Sequence, residues 1–455
     1  MYGKIKKVHF IGIGGIGMSG IAEVLINMGL EVSGSDLAET QITQRLASLG
    51  AVVHTGHSSE NIKGSEVVVY SSAIRKDNPE MIAAAAARVP LIPRAEMLAE
   101  LMRLKFGIAV AGSHGKTTTS SMIASVLSHC GADPTIVVGG KLRTIDSNAH
   151  LGTGRFMVVE ADESDGSFEK LSPVVTVLTN IDKEHLDYYG DMKALELAFS
   201  NFLHKIPFYG LAVTCADCPR TAEISRKFNK KILTYGINSP ADLMAENIRF
   251  SKLRTSFEVT YGGYLLGEVD LSTLGAHNAL NSLAAIAVGM EFGFSFEKIK
   301  EGLATFEGTE RRLQLKSERK GVKIIDDYGH HPSELEVTIE ALKAAFSQEP
   351  ILLFQPHRFS RTKLLYNDFV RVLGKIKHLY ILDIYPAGEK PVKGITSEKL
   401  VEDIKKAGNA NARHVDDPDA FVDRMANELK KGDILLTSGA GNVWKYGDRI
   451  AERIV

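Results

Sequence analysis

The chain has 455 residues, and its 54 lysines and arginines nearly balance its 55 aspartates and glutamates, which leaves a formal net charge of -1. This balance excludes a global electrostatic attraction to nucleic acid or to an anionic membrane, so any affinity for phosphate must be local. The hydrophobic content of 44% is that of an ordinary globular protein, and the length predicts about three domains. No stretch approaches the roughly 20 apolar residues of a membrane-spanning helix, and glycines interrupt the apolar run near the N-terminus before it could form a signal peptide. We therefore expect a cytoplasmic protein with no nucleic-acid partner and no membrane insertion.

The first stretch, from about residue 7 to residue 102, alternates apolar strands with amphipathic helices. This alternation predicts a parallel sheet with helices on its faces. The predicted strands cover residues 8–13, 31–34 and 67–70, and the predicted helices cover residues 17–28, 40–49 and 95–102.

A GxGxxG motif over residues 12–17 separates the first predicted strand from the first helix, and Asp36 follows about 20 residues later. In a dinucleotide fingerprint, the glycines let a diphosphate approach the helix N-terminus, and the acid contacts a ribose or a base edge. The motif does not distinguish a nicotinamide dinucleotide from a nucleotide sugar. The simpler alternative is a glycine-rich helix that packs closely against a sheet.

A second glycine-rich loop, GSHGKTT over residues 112–118, lies between an apolar strand and a helix. In such a loop the backbone N–H groups point at phosphate oxygens, Lys116 lies over the β- and γ-phosphates, and the Thr117 hydroxyl reaches Mg²⁺. Val110 stands where the usual P-loop has its first glycine, which argues against an ordinary kinase or GTPase. A simple turn with an exposed lysine would need neither the preceding strand nor the following hydroxyls, so nucleotide binding is favoured.

Acidic residues follow the next two predicted strands, at residues 160–165 and 180–187. The carboxyl ends of parallel strands face one crevice, so Glu160 and Thr117 are candidates for a Mg²⁺ site. His185 is either a metal ligand or a helix cap or core residue. Glu163 and Asp165 are expected to be solvated or to act indirectly.

Three further signals remain ambiguous in the sequence. Asn278 opens an alanine-rich helix and could read an adenine edge or cap that helix. Arg311, beside a turn, could reach towards phosphates or form part of a solvated charge pair. Cys215 and Cys218 have the spacing of a redox or zinc pair, but no second pair completes a zinc site, which favours a turn with two buried thiols.

The last stretch, from about residue 313, repeats the alternating pattern, with predicted strands over residues 322–325, 351–354, 379–384 and 434–437. DDYGHHP follows the first of these strands and contains too many polar groups for a core. Ser333 and Glu336 then predict a capping box. Arg358 and Arg361 lie three residues apart, which on a starting helix would put both on one face for a carboxylate or phosphoryl oxygen. The alternative is a pair of surface arginines.

Seven ordered motifs together resemble the Mur ligases: GSHGKTTT, VVEADESD, TNIDKEHLD, GAHNALN, GTERRLQ, DDYGHHP and QPHRFSRT. The opening FIGIGGIGMSGIAEVL and DDYGHHP are similar to the alanine-adding branch of that family. The resemblance implies three α/β domains: a Rossmann-like domain over residues 1–102, a P-loop ATPase-type central domain over residues 103–312, and a Rossmann-like domain over residues 313–455.

The resemblance also implies an activity. The enzyme would add L-alanine to the lactyl carboxylate of UDP-N-acetylmuramate through an acyl phosphate, and would convert ATP to ADP and phosphate during peptidoglycan synthesis. ATP and two Mg²⁺ ions would serve this reaction, in a monomer or a weak homodimer. Several relatives carry a carbamylated lysine after the His185 motif, whereas residues 194–199 present none here, which leaves the second ion one ligand short.

Site residues are implied by the same resemblance, motif by motif. The catalytic set is Lys116, Glu160, His185, Asp327, His330 and Arg361. The metal ligands are Thr117, Glu160 and His185. The ATP site comprises Gly112, Ser113, His114, Gly115, Lys116, Thr117, Thr118, His277, Asn278, Asn281 and Arg311. The UDP-sugar site comprises Gly12, Gly14, Gly15, Ile16, Gly17, Asp36 and Ser71, and the amino-acid site comprises Tyr328, His330, His357, Arg358 and Arg361.

Three alternatives compete with this hypothesis. The nearest is a recycling ligase of the same family that joins a tripeptide to the same UDP sugar, but its opening loop carries a cysteine and bulkier residues in place of residues 14–17. An NAD-dependent dehydrogenase would leave Lys116, Glu160 and the last domain without a role. A non-catalytic ATP-binding module is the third.

Overall fold

The computed structural model describes residues 5–71, 73–142, 147–346 and 348–454. The chain divides into two compact units. The first contains Met1–Asn247, Phe257–Asp270 and Ala279–Glu307, and the second contains Ile248–Ser256, Leu271–Asn278 and Gly308–Val455.

A five-stranded sheet forms the N-terminal part of the first unit. Its strands are all parallel, in the order β3-β2-β1-β4-β5. The chain adds β2 and β3 on one side of β1 and then β4 and β5 on its other side. The structure confirms the predicted strands and helices within a few residues and adds the edge strands β3 and β5 and the helix α3. The elements are β1 (Lys7–Ile11), α1 (Ile16–Asn27), β2 (Glu31–Asp36), α2 (Gln41–Ser48), β3 (Val52–Thr55), β4 (Val67–Tyr70), α3 (Pro79–Ala86), β5 (Leu91–Pro93) and α4 (Arg94–Met102).

A ten-stranded sheet follows, in the order β15-β14-β13-β12-β11-β10-β6-β9-β7-β8. β6 lies between β10 and β9 and is parallel to both, so here too the chain adds strands on both sides of a strand that precedes a glycine loop. The elements are β6 (Phe106–Ala111), α5 (Lys116–His129), β7 (Thr135–Leu142), β8 (Ser147–His150), β9 (Phe156–Glu160), β10 (Val175–Leu178), α6 (Leu186–Tyr189), α7 (Met192–His204), β11 (Leu211–Cys215), α8 (Pro219–Lys227), β12 (Ile232–Gly236), β13 (Leu243–Ser251), β14 (Arg254–Tyr261), β15 (Tyr264–Leu271), α9 (Ala276–Glu291) and α10 (Phe296–Ala304).

The second unit contains a six-stranded sheet in the order β16-β17-β21-β18-β19-β20. Only β16, which the alternating pattern did not predict, runs antiparallel to its neighbour among the strand pairs described here. The elements are β16 (Gln314–Arg319), β17 (Val322–Asp327), α11 (Pro332–Phe346), β18 (Ile351–Phe354), α12 (Phe359–Leu364), α13 (Tyr366–Leu373), β19 (His378–Ile381), α14 (Ser397–Lys406), β20 (Arg413–His414), α15 (Pro418–Glu428), β21 (Ile434–Ser438) and α16 (Trp444–Arg453).

The predicted capping box of Ser333 and Glu336 is wrong. Helix α11 begins at Pro332, whose missing N–H group is no loss at the first helical position. The carboxylate of Glu334, not that of Glu336, accepts a hydrogen bond from the backbone N–H of His330 at 3.0 Å.

Across the described ranges, every helix is too short or too polar to traverse a bilayer.

A buried polar network stabilises the N-terminal sheet. The Glu80 carboxylate is fully buried and accepts hydrogen bonds from the Ser35 hydroxyl at 2.5 Å and the Asn61 amide at 2.6 Å. The ring of His9 lies 3.6 Å from the same carboxylate. Burial alone would raise the pKa of Glu80, but the nearby His9 ring and the hydrogen bonds from Ser35 and Asn61 outweigh it and lower the pKa to about 2. The charged form is therefore the one that the fold requires.

We predict that Glu80→Gln destabilises the chain by about 3 kcal/mol at pH 7, which is the free energy equivalent of that pKa shift. Because the folded-state pKa is depressed, the contribution of Glu80 is complete above pH 4.5 and is lost as the pH falls towards 2. The difference in thermal midpoint between the wild type and the variant should therefore narrow over that range. Glu60→Gln, which removes an exposed ion pair with Lys63, is the matched control and should leave the midpoint unchanged. Equal shifts for the two variants would contradict the assignment.

Candidate active site

The second glycine-rich loop turns sharply between β6 and α5. Gly112 has a φ of +132°, and a Cβ atom there would lie 2.1 Å from the Thr179 Oγ1 atom. Gly115 has a φ of +81° and precedes the first residue of α5 without a side-chain cap. Thr118 is buried in the first turn of the same helix. The strand, sharp turn and helix that the sequence predicted are confirmed, and the helix N-terminus leaves backbone N–H groups of the kind that bind anions.

The loop that follows β10 stabilises this turn through hydrogen bonds. The backbone N–H of His114 donates to the Asn180 side chain at 2.9 Å, and the Asn180 amide donates back to the His114 carbonyl at 3.0 Å. The Thr179 hydroxyl also donates to that carbonyl at 2.6 Å, and the Asp182 N–H donates to the Ser113 hydroxyl at 2.8 Å. The sequence had given Asn180 no role, although its place directly after a buried strand was a usable signal.

Lys116 is largely buried and paired with Glu163. Its ammonium nitrogen lies 2.8 Å and 2.7 Å from the two Glu163 carboxylate oxygens and 2.5 Å from the Gly112 carbonyl oxygen. Burial opposes the charge of Lys116, but the carboxylates of Glu163 and Glu160 raise its pKa. Burial raises the pKa of Glu163 to about 7, against the effect of Lys116. The solvated alternative for Glu163 is wrong, because Glu163 is the buried counter-ion of the loop lysine and so acts indirectly, through Lys116.

Thr117 and Glu160 meet as predicted. The Thr117 hydroxyl donates to the Glu160 Oε2 atom at 2.8 Å, and the Gly139 N–H donates to the same oxygen at 2.8 Å. His185 precedes α6 with a φ of +55°, and its side chain does not cap that helix. Its Nε2 atom lies 3.9 Å from the Glu163 Oε1 atom, so the ring is directed towards the Lys116 pair.

Helix α9 contributes one residue beside the loop. A Cβ atom at Gly115 would lie 2.7 Å from the Asn281 Oδ1 atom, so the Asn281 amide is adjacent to the turn. His277 and Asn278 belong to the second unit. The Asn278 amide donates to the Leu274 carbonyl at 2.8 Å, and burial lowers the pKa of His277 to about 4.

The GxGxxG loop lies at the carboxyl end of β1. The Gly14 N–H donates to the Asp36 Oδ2 atom at 2.8 Å, and the Leu37 N–H donates to Oδ1 at 2.8 Å. Both carboxylate oxygens of Asp36 therefore accept hydrogen bonds from backbone N–H groups. Gly12 has a φ of +80°, and a Cβ atom there would lie 3.5 Å from the Ser71 side chain, so Ser71 borders the loop. The other predicted members, Gly15, Ile16 and Gly17, form the N-cap and first turn of α1.

In the second unit, Asp327 organises the loop that follows β17. Its carboxylate is buried and accepts hydrogen bonds from the N–H groups of Leu313 and Gly329, both at 2.8 Å. Burial, against the effect of these bonds and of Arg312, raises its pKa. Asp327 therefore sets the conformation of the DDYGHHP segment.

Arg311 makes its polar contacts within the second unit. Its guanidinium donates to Asp326 at 2.9 Å and to the carbonyl oxygens of Gly439 and Gly441 at 2.6 Å and 3.2 Å. It also lies over the ring of Tyr328, 5.0 Å from the ring centroid. Arg311 therefore ties the ends of β17 and β21 together.

A cluster of aromatic and basic side chains lies at the carboxyl end of β18. The ring of His357 stacks on Tyr385 at 5.6 Å and lies 5.9 Å from the ring of His330, and its Nδ1 atom is 3.2 Å from the Arg361 Nη1 atom. Burial, together with the charges of His330 and Arg361, lowers the pKa of His357 to about 4. The prediction that Arg358 and Arg361 share a helical face is wrong, because exposed Arg358 precedes α12 with a φ of +70°.

The two cysteines of the CxxC motif are free thiols at the turn between β11 and α8. Cys215 is buried, and burial raises its pKa to about 12. The Sγ atom of Cys218 lies 3.5 Å from the Ile181 backbone nitrogen. A strand-end turn, rather than a zinc site, thus describes this motif, although Cys218 is only partly buried.

Comparison with known proteins places this geometry in a family. The models of the Mur ligase catalytic domain, the Mur ligase middle domain and the Mur ligase glutamate ligase domain match residues 7–106, 110–289 and 311–441. The chain belongs to the Mur ligase family. Three α/β domains and the class of ATP-dependent ligases that form a carbon–nitrogen bond are thereby confirmed.

Individual Mur ligases are similar over the full chain. The UDP-N-acetylmuramate–L-alanine ligase of Geobacter sulfurreducens is 52% identical, over 100% of this chain and 99% of the relative. The crystal structure of UDP-N-acetylmuramate-alanine ligase from Thermotoga maritima superposes with a TM-score of 0.82 at 29% identity, over 98% of each chain. A murein peptide ligase from Psychrobacter arcticus shares the fold, with a TM-score of 0.70 at 22% identity.

We predict that Gly112→Ala in this Mur ligase lowers kcat/KM for ATP about 100-fold, because the added methyl group must displace the loop from Thr179. Gly131→Ala is the matched control. Gly131 also has a positive φ, +75°, but a Cβ atom there meets nothing within 4 Å. The control should lose about 1 kcal/mol of stability and keep its ATP kinetics. Equal ATP kinetics for the two variants would show that the contact with Thr179 does not matter.

Proposed function

We propose that this Mur ligase joins L-alanine to the lactyl carboxylate of UDP-N-acetylmuramate, at the expense of ATP, in the cytoplasmic synthesis of peptidoglycan precursors. The observation that carries the proposal is the 52% identity over the full chain to a ligase of that name. The pairing of Lys116 with the buried carboxylate of Glu163, in the loop that follows β6, supports a phosphoryl-transfer role for the loop. We keep residues 1–102, 103–312 and 313–455 as the proposed domain boundaries.

The first step activates a carboxylate, which is a poor electrophile for an amine. An oxygen of the lactyl carboxylate attacks the γ-phosphorus of ATP in line, the bond to the β-phosphate oxygen breaks, and ADP leaves. The product is an acyl phosphate. Lys116 neutralises the charge that develops on the transferring group, and for this its ammonium must exchange Glu163 for a phosphate oxygen. Asn281, beside Gly115, is proposed to contact the nucleotide, together with His277 and Asn278.

The residues at Thr117 suit Mg²⁺. A hydroxyl and a carboxylate oxygen that meet at 2.8 Å are hard oxygen donors of the kind that this ion prefers. Thr117 and Glu160 would hold one ion, and His185 would contribute to a second ion. When bound, the ions neutralise phosphate charge. Glu160 is held in place by the Gly139 N–H, which orients its carboxylate towards Thr117.

In the second step the alanine amine attacks the acyl carbon, and phosphate leaves with the bonding electron pair. The amine loses a proton, so the products are an amide, inorganic phosphate and a proton. We assign the alanine site to the cluster of His330, His357 and Arg361, with Tyr328 and Arg358 at its border. Arg361 is suited to the α-carboxylate because its planar guanidinium can bind two oxygens at once. His357 is neutral at pH 7 and orients Arg361 through its Nδ1 atom.

An assay with ATP, UDP-N-acetylmuramate and either L-alanine or the tripeptide tests the proposal directly. Phosphate release and a new UDP-sugar product with L-alanine are expected. Turnover with the tripeptide alone would contradict the proposal in favour of the recycling ligase. An amino-acid panel that includes glycine and L-serine would measure how strictly alanine is selected.

Removal of the loop lysine should abolish most of this activity. We predict that Lys116→Met lowers kcat about 100- to 1000-fold, because a preorganised charge at the transferring group is lost. Lys227→Ala, which removes an exposed lysine paired with Glu223 on α8, serves as the control and should retain wild-type kcat. Full activity of the Lys116 variant would exclude phosphoryl transfer at this loop.

Arg361→Ala should weaken the binding of L-alanine and leave the binding of the UDP sugar unchanged. We predict that KM for L-alanine rises about 10- to 100-fold, because a charge-assisted hydrogen bond to the carboxylate is lost. KM for UDP-N-acetylmuramate should stay within a factor of two. Lys363→Ala removes an exposed cation from the same helix and should change neither constant. A parallel rise of both constants in the Arg361 variant would place this arginine outside the alanine site.

A further inference from the structure

Arg94 lies at the first glycine loop, where neither the motif nor the proposed reaction assigns it a role. It is the first residue of α4, and its side chain is only 19% exposed. A Cβ atom at Gly17 would lie 2.9 Å from the Arg94 Nη1 atom and 3.3 Å from its Cζ atom. The guanidinium therefore lies over the first turn of α1, in a space that a larger residue at position 17 would fill. In the general fingerprint the third glycine allows a helix to pack closely on a strand, whereas here it makes room for a cation.

This position concentrates positive charge beside an anion-binding backbone. Helix α1 begins after Gly15, which has no side chain that could cap the N–H groups of the first turn. The partial positive charge of a helix N-terminus attracts anions, and a guanidinium can donate to two phosphate oxygens in parallel. Arg94 also lines a cavity of about 320 Å³, together with Tyr70 and Pro93 at the ends of β4 and β5 and with Asp165 and Lys170 from the segment that follows β9.

Asp162 directs the guanidinium. Its Oδ2 atom lies 3.3 Å from the Arg94 Nη2 atom, while its Oδ1 atom accepts the Ser164 N–H at 3.0 Å. One carboxylate oxygen of Asp162 therefore pairs with Arg94, and the other is held by the backbone of its own loop. A single contact of 3.3 Å leaves the planar fork able to engage a second anion.

We propose that Arg94 binds the diphosphate of the nucleotide sugar and that Asp162 is a positioning residue that holds the guanidinium over α1. The inference rests on the proposed function for the identity of the sugar nucleotide. The diphosphate, rather than the lactyl carboxylate, is the group recognised, because Arg94 lies at the first turn of the helix that follows the GxGxxG loop.

Calorimetric titration of the full chain with UDP, uridine and UDP-N-acetylmuramate tests the assignment. Arg94→Ala should lower the affinity for UDP and for UDP-N-acetylmuramate about tenfold or more, to the same extent for both, and should leave the affinity for uridine unchanged. Arg94→Gln, which keeps most of the side-chain length, should give the same loss if Arg94→Ala unfolds. Arg45→Ala is the matched control, because it removes a partly buried ion pair to Glu23 in the same domain and should leave UDP binding unchanged.

Asp162→Asn tests the positioning role, since the amide oxygen keeps an acceptor for Ser164 while the charge pair is lost. UDP binding should weaken in the wild-type background and remain unaffected in the Arg94→Ala background. Additive losses would refute the positioning role, and a loss confined to UDP-N-acetylmuramate would assign Arg94 to the carboxylate and overturn the proposal. Unchanged UDP binding in both Arg94 variants, with alanine ligation intact in the wild type, would overturn this inference alone. If the wild type shows no ligase activity but its UDP binding is weakened by the Arg94 substitutions, only the proposed function is overturned.

Discussion

A buried ammonium group needs counter-charges, and the requirement of Lys116 for them organises the first unit. Strand register supplies one of them, because β9 is parallel to β6 and places Glu160 opposite Val110, just before the glycine loop. Glu163 follows three residues later and closes on the ammonium. A shift of β9 by one residue would turn Glu160 to the other face of the sheet and would separate the lysine from its carboxylates. The chemistry of the loop thus depends on hydrogen bonding between two buried strands.

The Lys116–Glu163 pair constrains the proposed binding of a nucleotide at the loop. A buried cation that loses its counter-ion is strongly destabilised, so in the proposed reaction a phosphate replaces Glu163 at the ammonium before Lys116 is left without a negative partner. The ammonium also donates a hydrogen bond to the Gly112 carbonyl oxygen at 2.5 Å, which ties it to the loop. Asn180 and Thr179 fix the loop backbone from the other side, so binding energy is not spent on ordering it.

Local patterns predicted the fold and the centre of the site, and long-range contacts account for the rest. The glycine loop and Lys116 have signals within one strand, turn and helix, and Glu160 has its signal at the end of β9, which the register of the sheet brings beside them. The sequence did not show that Glu163 is buried, because its burial depends on a contact with Lys116, 47 residues away in sequence. Arg94 had no motif, since its neighbours Gly17 and Asp162 come from separate segments of the chain.

The first glycine loop shows what a sequence motif establishes and what it leaves open. A glycine in a fingerprint states that something approaches the backbone closely, but not what approaches. Beside Gly14 the approaching group is the protein's own Asp36, whose Oδ2 atom would lie 2.9 Å from an added Cβ atom, and beside Gly17 it is Arg94. Asp36 has both oxygens bonded to backbone N–H groups, so it shapes the loop before any ligand arrives. Recognition of a ribose by this acid would require one of those bonds to be shared. The sequence motif of a dinucleotide site can therefore also form a different anion site. In that site Asp36 supports the loop, and Arg94 of α4 faces the phosphates.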